Sequence, residues 1–288
     1  MGILNRIVLS TAPWMPKIVI GRIASVYVAG DKLEDGIDLV RKLNKKGFVG
    51  TLDLLGEEVK NRRGITKTTN SYCDLIDGIA NSGVDCNISL KLTAIGLKVD
   101  ESLCWDNLSV ILDKAKMYNT FVRIYIEDSE VTESTIQMCK KAVNYYPNCG
   151  TVLQAYMYRT SDDIDLLKGP NTNIRLCKGA YKESKDIAIQ DYNKIRENYV
   201  ECAEKMIKNN IYSCFATHDT WIIERIEKLI EKNNFPKNNC EFQALSGVPI
   251  DNTLDELLSK GYTVRYYIPY GPERNPYTIQ KKIPYSMA

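Results

Sequence analysis

The chain has 288 residues, 44% of them hydrophobic and 26% charged, which is the composition of a globular protein with a large core and excludes collagen, coiled coil and low-complexity disorder. Its 38 basic and 36 acidic residues leave a net charge of +2, so no basic surface indicates a nucleic-acid partner. Nine cysteines without a C-x-x-C pair argue against a disulfide framework, and a single histidine excludes a metal site with several histidine ligands.

The first 25 residues are interrupted by arginine, lysine and proline, so we expect neither a signal peptide nor a membrane-spanning helix there. Most cysteines stand within apolar runs, where free thiols serve as small hydrophobic side chains in a reducing compartment. We therefore expect a cytoplasmic protein without a transmembrane segment. A peripheral association with a membrane stays open.

Short apolar runs alternate with amphipathic stretches along the chain. The runs are rich in valine, isoleucine, leucine, threonine and tyrosine, and most end at glycine, aspartate or serine, which predicts strands that enter loops. The eight predicted strands are 49–56, 87–95, 121–127, 151–157, 174–180, 212–218, 241–247 and 262–270.

Helical patterns lie between these runs. Asp31 and Glu34 have the spacing of a capping box, which predicts that a helix begins after Asp31. The other predicted helices have one apolar face, which we expect to pack against the sheet. They occupy 100–116, 129–144, 184–210, 219–232 and 251–260.

Eight βα units in a chain of this length predict an α/β protein of the (β/α)₈ TIM-barrel class. We expect one domain over 1–288, in which 1–30 form a short N-terminal helical arm and 31–288 form the barrel. A doubly wound open sheet is the alternative. Against it, no G-x-G-x-x-G motif follows the first predicted strand.

In such barrels the active site lies at the carboxyl ends of the strands, so polar residues at the predicted ends form the candidate site. These residues are Lys91, Tyr125, Glu127, Asp128, Gln154, Tyr156, Arg159, Arg175, Lys178, Tyr181, Thr217, His218, Asp219, Gln243, Arg265, Tyr267 and Tyr270.

Two chemistries fit these residues. Arg175 and Lys91 stand inside predicted strands, where a charge is costly unless it is paired or faces a ligand, so each is either in a buried ion pair or in a binding site. His218 is either a core residue or a site residue. One hypothesis is a Schiff-base enzyme in which Lys178 or Lys91 is the nucleophilic amine. The other is a cofactor enzyme whose glutamine, arginine, threonine and histidine side chains orient the bound group.

At these strand ends the sequence resembles the proline dehydrogenase family, the flavoenzymes that oxidise L-proline to pyrroline-5-carboxylate. The most distinctive segments are Arg-Leu-Cys-Lys-Gly-Ala-Tyr at 175–181 and Phe-Ala-Thr-His-Asp at 215–219. Similar segments follow the family's order and spacing. They lie at 27–30, 52–57, 88–93, 152–160, 241–247 and 264–271.

The resemblance implies a distorted barrel with FAD lying over the strand ends, Arg175 as a catalytic residue beside the flavin N5, and Tyr125 in the catalytic polar network. The implied cofactor-binding residues are Ile126, Gln154, Arg175, Lys178, Gly179, Ala180, Thr217 and His218. The implied substrate-binding residues are Lys91, Tyr181, Leu245, Tyr267, Tyr277, Gln280 and Lys281.

Three departures from the family concern the substrate side. Tyr125 stands where the family has an acidic residue, and a phenol cannot supply that charge. Gln280 and Lys281, or Lys281 and Lys282 with one inserted residue, match the family's Arg-Arg pair, so the planar fork that grips a carboxylate is lost. The family continues in a helix beyond the position of Ala288, so we expect a truncated C-terminal helix and a more open pocket.

The resemblance thus implies an FAD-dependent enzyme that transfers a hydride from L-proline to the flavin. The alternative is a flavoenzyme of the same family that oxidises a proline analogue in a specialised pathway. A Schiff-base lyase or aldolase on the same barrel and a catalytically inactive binding module are further alternatives. The electron acceptor, a quinone or another molecule, is not identified by the sequence.

Overall fold

The computed structural model describes residues 26–56 and 59–272 of the chain. Strands and helices alternate through these residues in the predicted order, with two further helices, Arg62–Ser82 and Thr160–Leu167, that the sequence analysis did not predict. The strands are β1 (Val49–Leu54), β2 (Cys86–Lys91), β3 (Val122–Tyr125), β4 (Cys149–Gln154), β5 (Asn173–Cys177), β6 (Tyr212–Ala216), β7 (Cys240–Leu245) and β8 (Thr263–Tyr270). The α-helices are α1 (Leu33–Asn44), α2 (Arg62–Ser82), α3 (Glu101–Tyr118), α4 (Ser129–Tyr145), α5 (Thr160–Leu167), α6 (Tyr192–Lys208), α7 (Thr220–Lys232) and α8 (Asp251–Ser259).

The strands form a closed barrel in the order β1 to β8. Every neighbouring pair is parallel, and closure is made by β1 and β8, which pair from Val49 opposite Arg265 to Leu54 opposite Tyr270. The predicted (β/α)₈ barrel is confirmed. The doubly wound alternative is wrong, because an open sheet would leave two unpaired edges.

The sequence placed several element ends wrongly. Residues Leu92–Ile95, predicted as the end of a strand, form a buried 3₁₀ helix, because an apolar run carries no signal that separates these two structures. Helix α1 begins at Leu33, and the backbone N–H of Lys32 donates to Asp35 Oδ2 at 3.0 Å, so the cap lies one residue beyond the predicted Asp31–Glu34 pair. Helix α6 likewise begins well inside the predicted 184–210 stretch.

Alternation along the strands separates the helix-facing core from the barrel interior. On β5, Ile174 and Leu176 are fully buried and belong to the main hydrophobic core. Arg175 between them points the other way, since its Nε reaches Gln243 Oε1 on β7 at 2.7 Å and so spans the interior past β6. The interior is unusually polar for a fold whose barrel is usually filled by branched apolar side chains.

Parts of the predicted organisation lie outside the described residues. They include most of the arm at 1–30 and the C-terminal segment with the expected truncated helix and Tyr277, Gln280 and Lys281. Within 26–56 and 59–272, no helix combines the length and apolar composition needed to cross a bilayer.

Candidate active site

The carboxyl ends of β3 and β5–β8 line a cleft. Most of the predicted flavin-side residues line it, together with three residues for which the sequence assigned no role. The lining residues are Tyr125, Arg175, Cys177, Lys178, Gly179, Ala180, Ala216, Thr217, His218, Gln243, Leu245 and Tyr267.

Arg175 is the charged group on the barrel side of the cleft. Its Nε donates to Gln243 Oε1 at 2.7 Å, and its guanidinium carbon lies 5.3 Å from the centre of the Tyr267 ring. Its Nη1 is buried and has no hydrogen-bond partner among the described residues. The ion pair found inside the described barrel joins Arg265 and Glu241 instead, with Nε 3.0 Å from the carboxylate. Arg175 therefore places a cation with unused donor capacity at the cleft.

Two phenol rings form the wall next to Arg175. The Tyr125 and Tyr267 ring centres are 6.4 Å apart, with the rings inclined at 41°. Burial raises the pKa of both phenols, and the nearby carboxylate of Asp53 adds to the effect, so both rings are neutral at physiological pH. The two rings thus give this wall an apolar aromatic surface and neutral hydroxyl groups, and they add no charge to it.

Lys178 lines the cleft and is held in a buried ion pair. Its Nζ is 3.0 Å from Asp219 Oδ2, and the side chains of both residues are less than a tenth exposed. Asp219 also accepts a hydrogen bond from Tyr192 Oη at 3.0 Å and pairs with Arg196 at 2.9 Å. Burial lowers the pKa of Lys178, although Asp219 opposes this shift. The Asp219 carboxylate thus pairs with both Lys178 and Arg196 and fixes the position of the Lys178 ammonium group.

Backbone conformation shapes the rim after β5. Gly179 has φ +132, and a Cβ at this position would lie 2.3 Å from the Tyr156 ring, so a side chain cannot be placed there without a shift. The next N–H, of Ala180, donates to Gln154 Oε1 at 3.2 Å, while Gln154 Nε2 donates to Glu127 O at 2.9 Å. Gln154 thus ties the ends of β3, β4 and β5 together from behind the lining residues.

Thr217 and His218 follow β6 and are fixed by hydrogen bonds. The backbone N–H of Leu245 donates to His218 Nε2 at 2.9 Å, which requires the neutral tautomer with its proton on Nδ1. Thr217 Oγ1 accepts from the backbone N–H of Asp219 at 3.1 Å. His218 therefore lines the cleft and links β6 to β7, rather than lying in the apolar core.

The predicted substrate-side residues are brought together less completely. Lys91 is opposite Tyr125 in the register of β2 and β3, and Leu245 and Tyr267 line the cleft. Burial raises the pKa of Tyr181, and the nearby phenol of Tyr125 adds to this shift. The residues that line the cleft do not include Lys91, Tyr181, Gln154 or Ile126. The roles that the sequence assigned to them stay predictions.

Sequence reasoning assigned no role to several residues that the fold places at the site. Asp53, at the end of β1, is almost fully buried and acts electrostatically on Tyr125 and Tyr267. Cys177 and Ala216 line the cleft, as does Gln243, which the sequence listed as a candidate site residue without a specific role. One signal was available for Asp53: an aspartate at an inward position of an otherwise apolar strand has to find polar partners inside the barrel.

A family model described as proline dehydrogenase matches residues 37–278 of the chain. Proline dehydrogenase 2 of Bacillus subtilis strain 168 is 33% identical to it over 280 residues, which cover 97% of this chain and 90% of that protein. Proline dehydrogenase of Deinococcus radiodurans is 33% identical over 254 residues, which cover 86% of this chain and 82% of that protein.

Among solved structures, proline utilization A from Bdellovibrio bacteriovorus aligns with 92% of this chain at a TM-score of 0.84 and 22% identity. At this identity the similarity shows the common barrel fold. The chain spans 32% of that longer protein.

Proposed function

Because this chain belongs to the proline dehydrogenase family, oxidoreductases that act on the CH–NH group of proline, we propose that it oxidises L-proline to 1-pyrroline-5-carboxylate with FAD as the hydride acceptor. The observation that carries the proposal is the guanidinium of Arg175 at the strand ends, which has unused donor capacity and no carboxylate partner among the described residues. Such a group stabilises negative charge that develops on a bound ligand.

The residues present fit a flavin. The cleft lies at the carboxyl ends of the strands, and a glycine whose Cβ would meet the Tyr156 ring opens its rim. Phenol rings on one side and ionised or hydrogen-bonding groups on the other suit a ligand with a flat ring system and an anionic tail. Family membership favours this cofactor over the Schiff-base hypothesis, and the Lys178–Asp219 ion pair does not favour a free nucleophilic amine.

Bound FAD supplies the electron sink of the reaction. In our proposal, Arg175 would hold the flavin near its N5 and would stabilise negative charge that develops there. Lys178 and the neutral His218 hold the ribityl and phosphate portion with Thr217, and the backbone at 179–180 keeps that edge of the cleft open. Gln154 and Ile126 complete the cofactor side from the ends of β3 and β4.

On the substrate side, Lys91 attracts the proline carboxylate, while Tyr181, Leu245 and Tyr267 enclose the ring and exclude water. We assign Tyr277, Gln280 and Lys281 to the same side on the family pattern alone. The reaction leaves the carboxylate unchanged, so these groups orient the substrate and do not transfer protons.

The second candidate is oxidation of a proline analogue by the same chemistry. Tyr125 favours it, because this neutral phenol lines the cleft where the family pattern has a carboxylate, and its ring packs against Tyr267. A wall of two phenols accepts a larger or less polar ring substituent more readily than a charged wall does.

We also propose a cytoplasmic location, with the final electron acceptor, a quinone or another molecule, still to be identified. Support comes from the nine cysteines, all of which are free thiols in the described structure, as expected in a reducing compartment. A peripheral membrane association would bring the protein close to a quinone acceptor.

The first prediction is that purified protein carries non-covalent FAD and that Gly179→Ala weakens its binding. An added Cβ would meet the Tyr156 ring at 2.3 Å and push the rim toward the cofactor. FAD content is measured by absorbance after heat release, and affinity by fluorescence quenching on adding FAD to the stripped protein.

Gly261→Ala is the matched control, because Gly261 has φ +84 but no atom within 4 Å of an added Cβ. It imposes a similar backbone strain away from the cleft, so its FAD affinity should equal that of the wild type. A wild-type protein that contains no flavin and takes up none would refute the proposed function.

A further inference from the structure

A row of hydrogen-bonded side chains crosses the barrel interior from β8 to β5. Arg265 Nε donates to the two carboxylate oxygens of Glu241 at 3.0 and 3.1 Å, and Gln243 Nε2 donates to Glu241 Oε1. Arg175 Nε then donates to Gln243 Oε1 at 2.7 Å. Arg265, Glu241 and Gln243 are 8%, 1% and 3% exposed, so water does not compete for these bonds. We call these four residues the barrel relay.

The relay determines which way the Gln243 amide faces. An ionised carboxylate only accepts hydrogen bonds, so Glu241 requires the NH₂ group of Gln243 on its side. Burial by itself would raise the pKa of Glu241, but the charge and hydrogen bonds of Arg265 outweigh burial and lower it, so the carboxylate is ionised. A flipped amide would set oxygen against carboxylate and NH₂ against guanidinium, which is unfavourable at both contacts.

This orientation leaves the Gln243 oxygen facing Arg175. The bond engages Nε and leaves Nη1 without a partner among the described residues. Without the amide, the guanidinium would lose its polar anchor inside the barrel and could settle against the face of the Tyr267 ring, whose centre is 5.3 Å away. The hydrogen bond from Arg175 Nε to Gln243 therefore holds the guanidinium in the orientation that leaves Nη1 without a partner at the cleft.

We propose that Gln243 and Glu241 are positioning residues for Arg175, and that they raise the reduction potential of bound FAD by holding the guanidinium toward it. This inference rests on the proposed function, since it concerns the flavin of that same cleft. The Glu241–Arg265 pair acts through Gln243, and its own net charge of zero contributes little directly.

The experiment is a cycle of variants measured as FAD-loaded protein. The first is Gln243→Met, which removes the amide at similar volume and keeps the Glu241–Arg265 pair. The second replaces the whole pair, Glu241→Met with Arg265→Met, so that net charge is unchanged and no buried charge is left alone. The third combines all three substitutions. The midpoint potential of the bound flavin is measured by equilibration with a reference dye.

We expect Gln243→Met to lower the potential by about 30 mV, which is a tenfold change for a two-electron couple. Replacing the pair should lower it by a similar or smaller amount. In the triple variant the shift in potential should equal that of Gln243→Met alone. The Glu241–Arg265 pair acts on Arg175 through the Gln243 amide, so it has no further effect once the amide is removed. Arg159→Met with Asp163→Met removes another ion pair, outside the cleft, and should leave the potential unchanged.

Additive shifts in the triple variant would overturn the relay, since the pair would then act on the flavin independently of Gln243. An unchanged potential in Gln243→Met would overturn the positioning role, and this variant retains the buried pair even if the pair replacement does not fold. If the wild type binds no FAD, the proposed function itself fails. That outcome is distinct from a wild type that binds FAD and whose variants show no shift.

Discussion

Replacing Arg175 by alanine is expected to slow reduction of the flavin by L-proline about 10²- to 10³-fold and to weaken FAD retention. A preorganised donor to developing negative charge is worth about 2.7–4 kcal/mol of the barrier. Arg175 has the features of such a donor, because its Nη1 has no other partner in the described structure and its Nε is anchored to Gln243 at 2.7 Å. The measurement is stopped-flow bleaching of flavin absorbance at saturating proline.

Arg175→Lys should recover only part of the rate, because an ammonium group cannot make two directed bonds from one planar fork. Arg159→Ala is the control for the loss of an arginine, since Arg159 pairs with Asp163 outside the lining of the cleft. Its flavin reduction should match the wild type. A wild-type rate in Arg175→Ala would mean that Arg175 serves the barrel structure alone.

The second expected result is weak binding of L-proline and a gain on restoring the family pattern. A charge-assisted hydrogen bond is worth about 1.5–3 kcal/mol, so losing one from the carboxylate grip raises the proline KM by roughly tenfold to a hundredfold. Restoration by Tyr125→Asp with Gln280→Arg and Lys281→Arg should lower KM. The readout is steady-state kinetics on L-proline and its ring analogues with an artificial electron acceptor.

The two halves of this restoration should contribute unequally. A carboxylate at 125 would join that of Asp53, which already acts on Tyr125 and Tyr267, and two close carboxylates do not both ionise readily. We therefore expect the larger gain from the arginine pair. Gln280→Lys adds the same charge as Gln280→Arg without the fork, so a smaller gain from lysine identifies geometry as the cause.

A wild type that saturates at micromolar proline and gains nothing from these changes would contradict the substrate-shift hypothesis. In that case Asp53 is the first residue to test as the compensating charge, with Asp53→Asn. Preference for an analogue over L-proline, lost in the Tyr125→Asp variant, would instead support the second candidate function.

The period of the apolar residues was enough to predict the barrel. Strand runs such as 212–218 alternate with amphipathic stretches such as 219–232, and eight strands at this spacing leave few other folds, although two of the eight helices were not predicted. Element ends were less predictable. Leu92–Ile95 is an apolar run that becomes a 3₁₀ helix, because its backbone is decided by the helices that bury it and not by its own alternation.

Motifs at the strand ends also located the cleft from the sequence. The segments at 175–181 and 215–219 carry Arg175, Lys178 and His218, and the fold brings all three to one cavity. This succeeds because in a parallel barrel every strand ends at the same rim, so residues distant in the chain but equivalent in their units become neighbours.

Only the tertiary structure decided what each charged side chain pairs with. Arg175 and Arg265 are alike in the sequence, as arginines within apolar strands. Among the described residues, Arg265 pairs with the buried carboxylate of Glu241, while Arg175 donates to the neutral amide oxygen of Gln243. Closing the barrel brings β5, β7 and β8 around one interior, and the shear between strands sets which side chains reach the same layer. Local sequence spacing does not record which side chains pair across that interior. The chain pattern therefore determined the barrel and its rim, and barrel closure determined which arginine has a buried guanidinium nitrogen without a partner among the described residues.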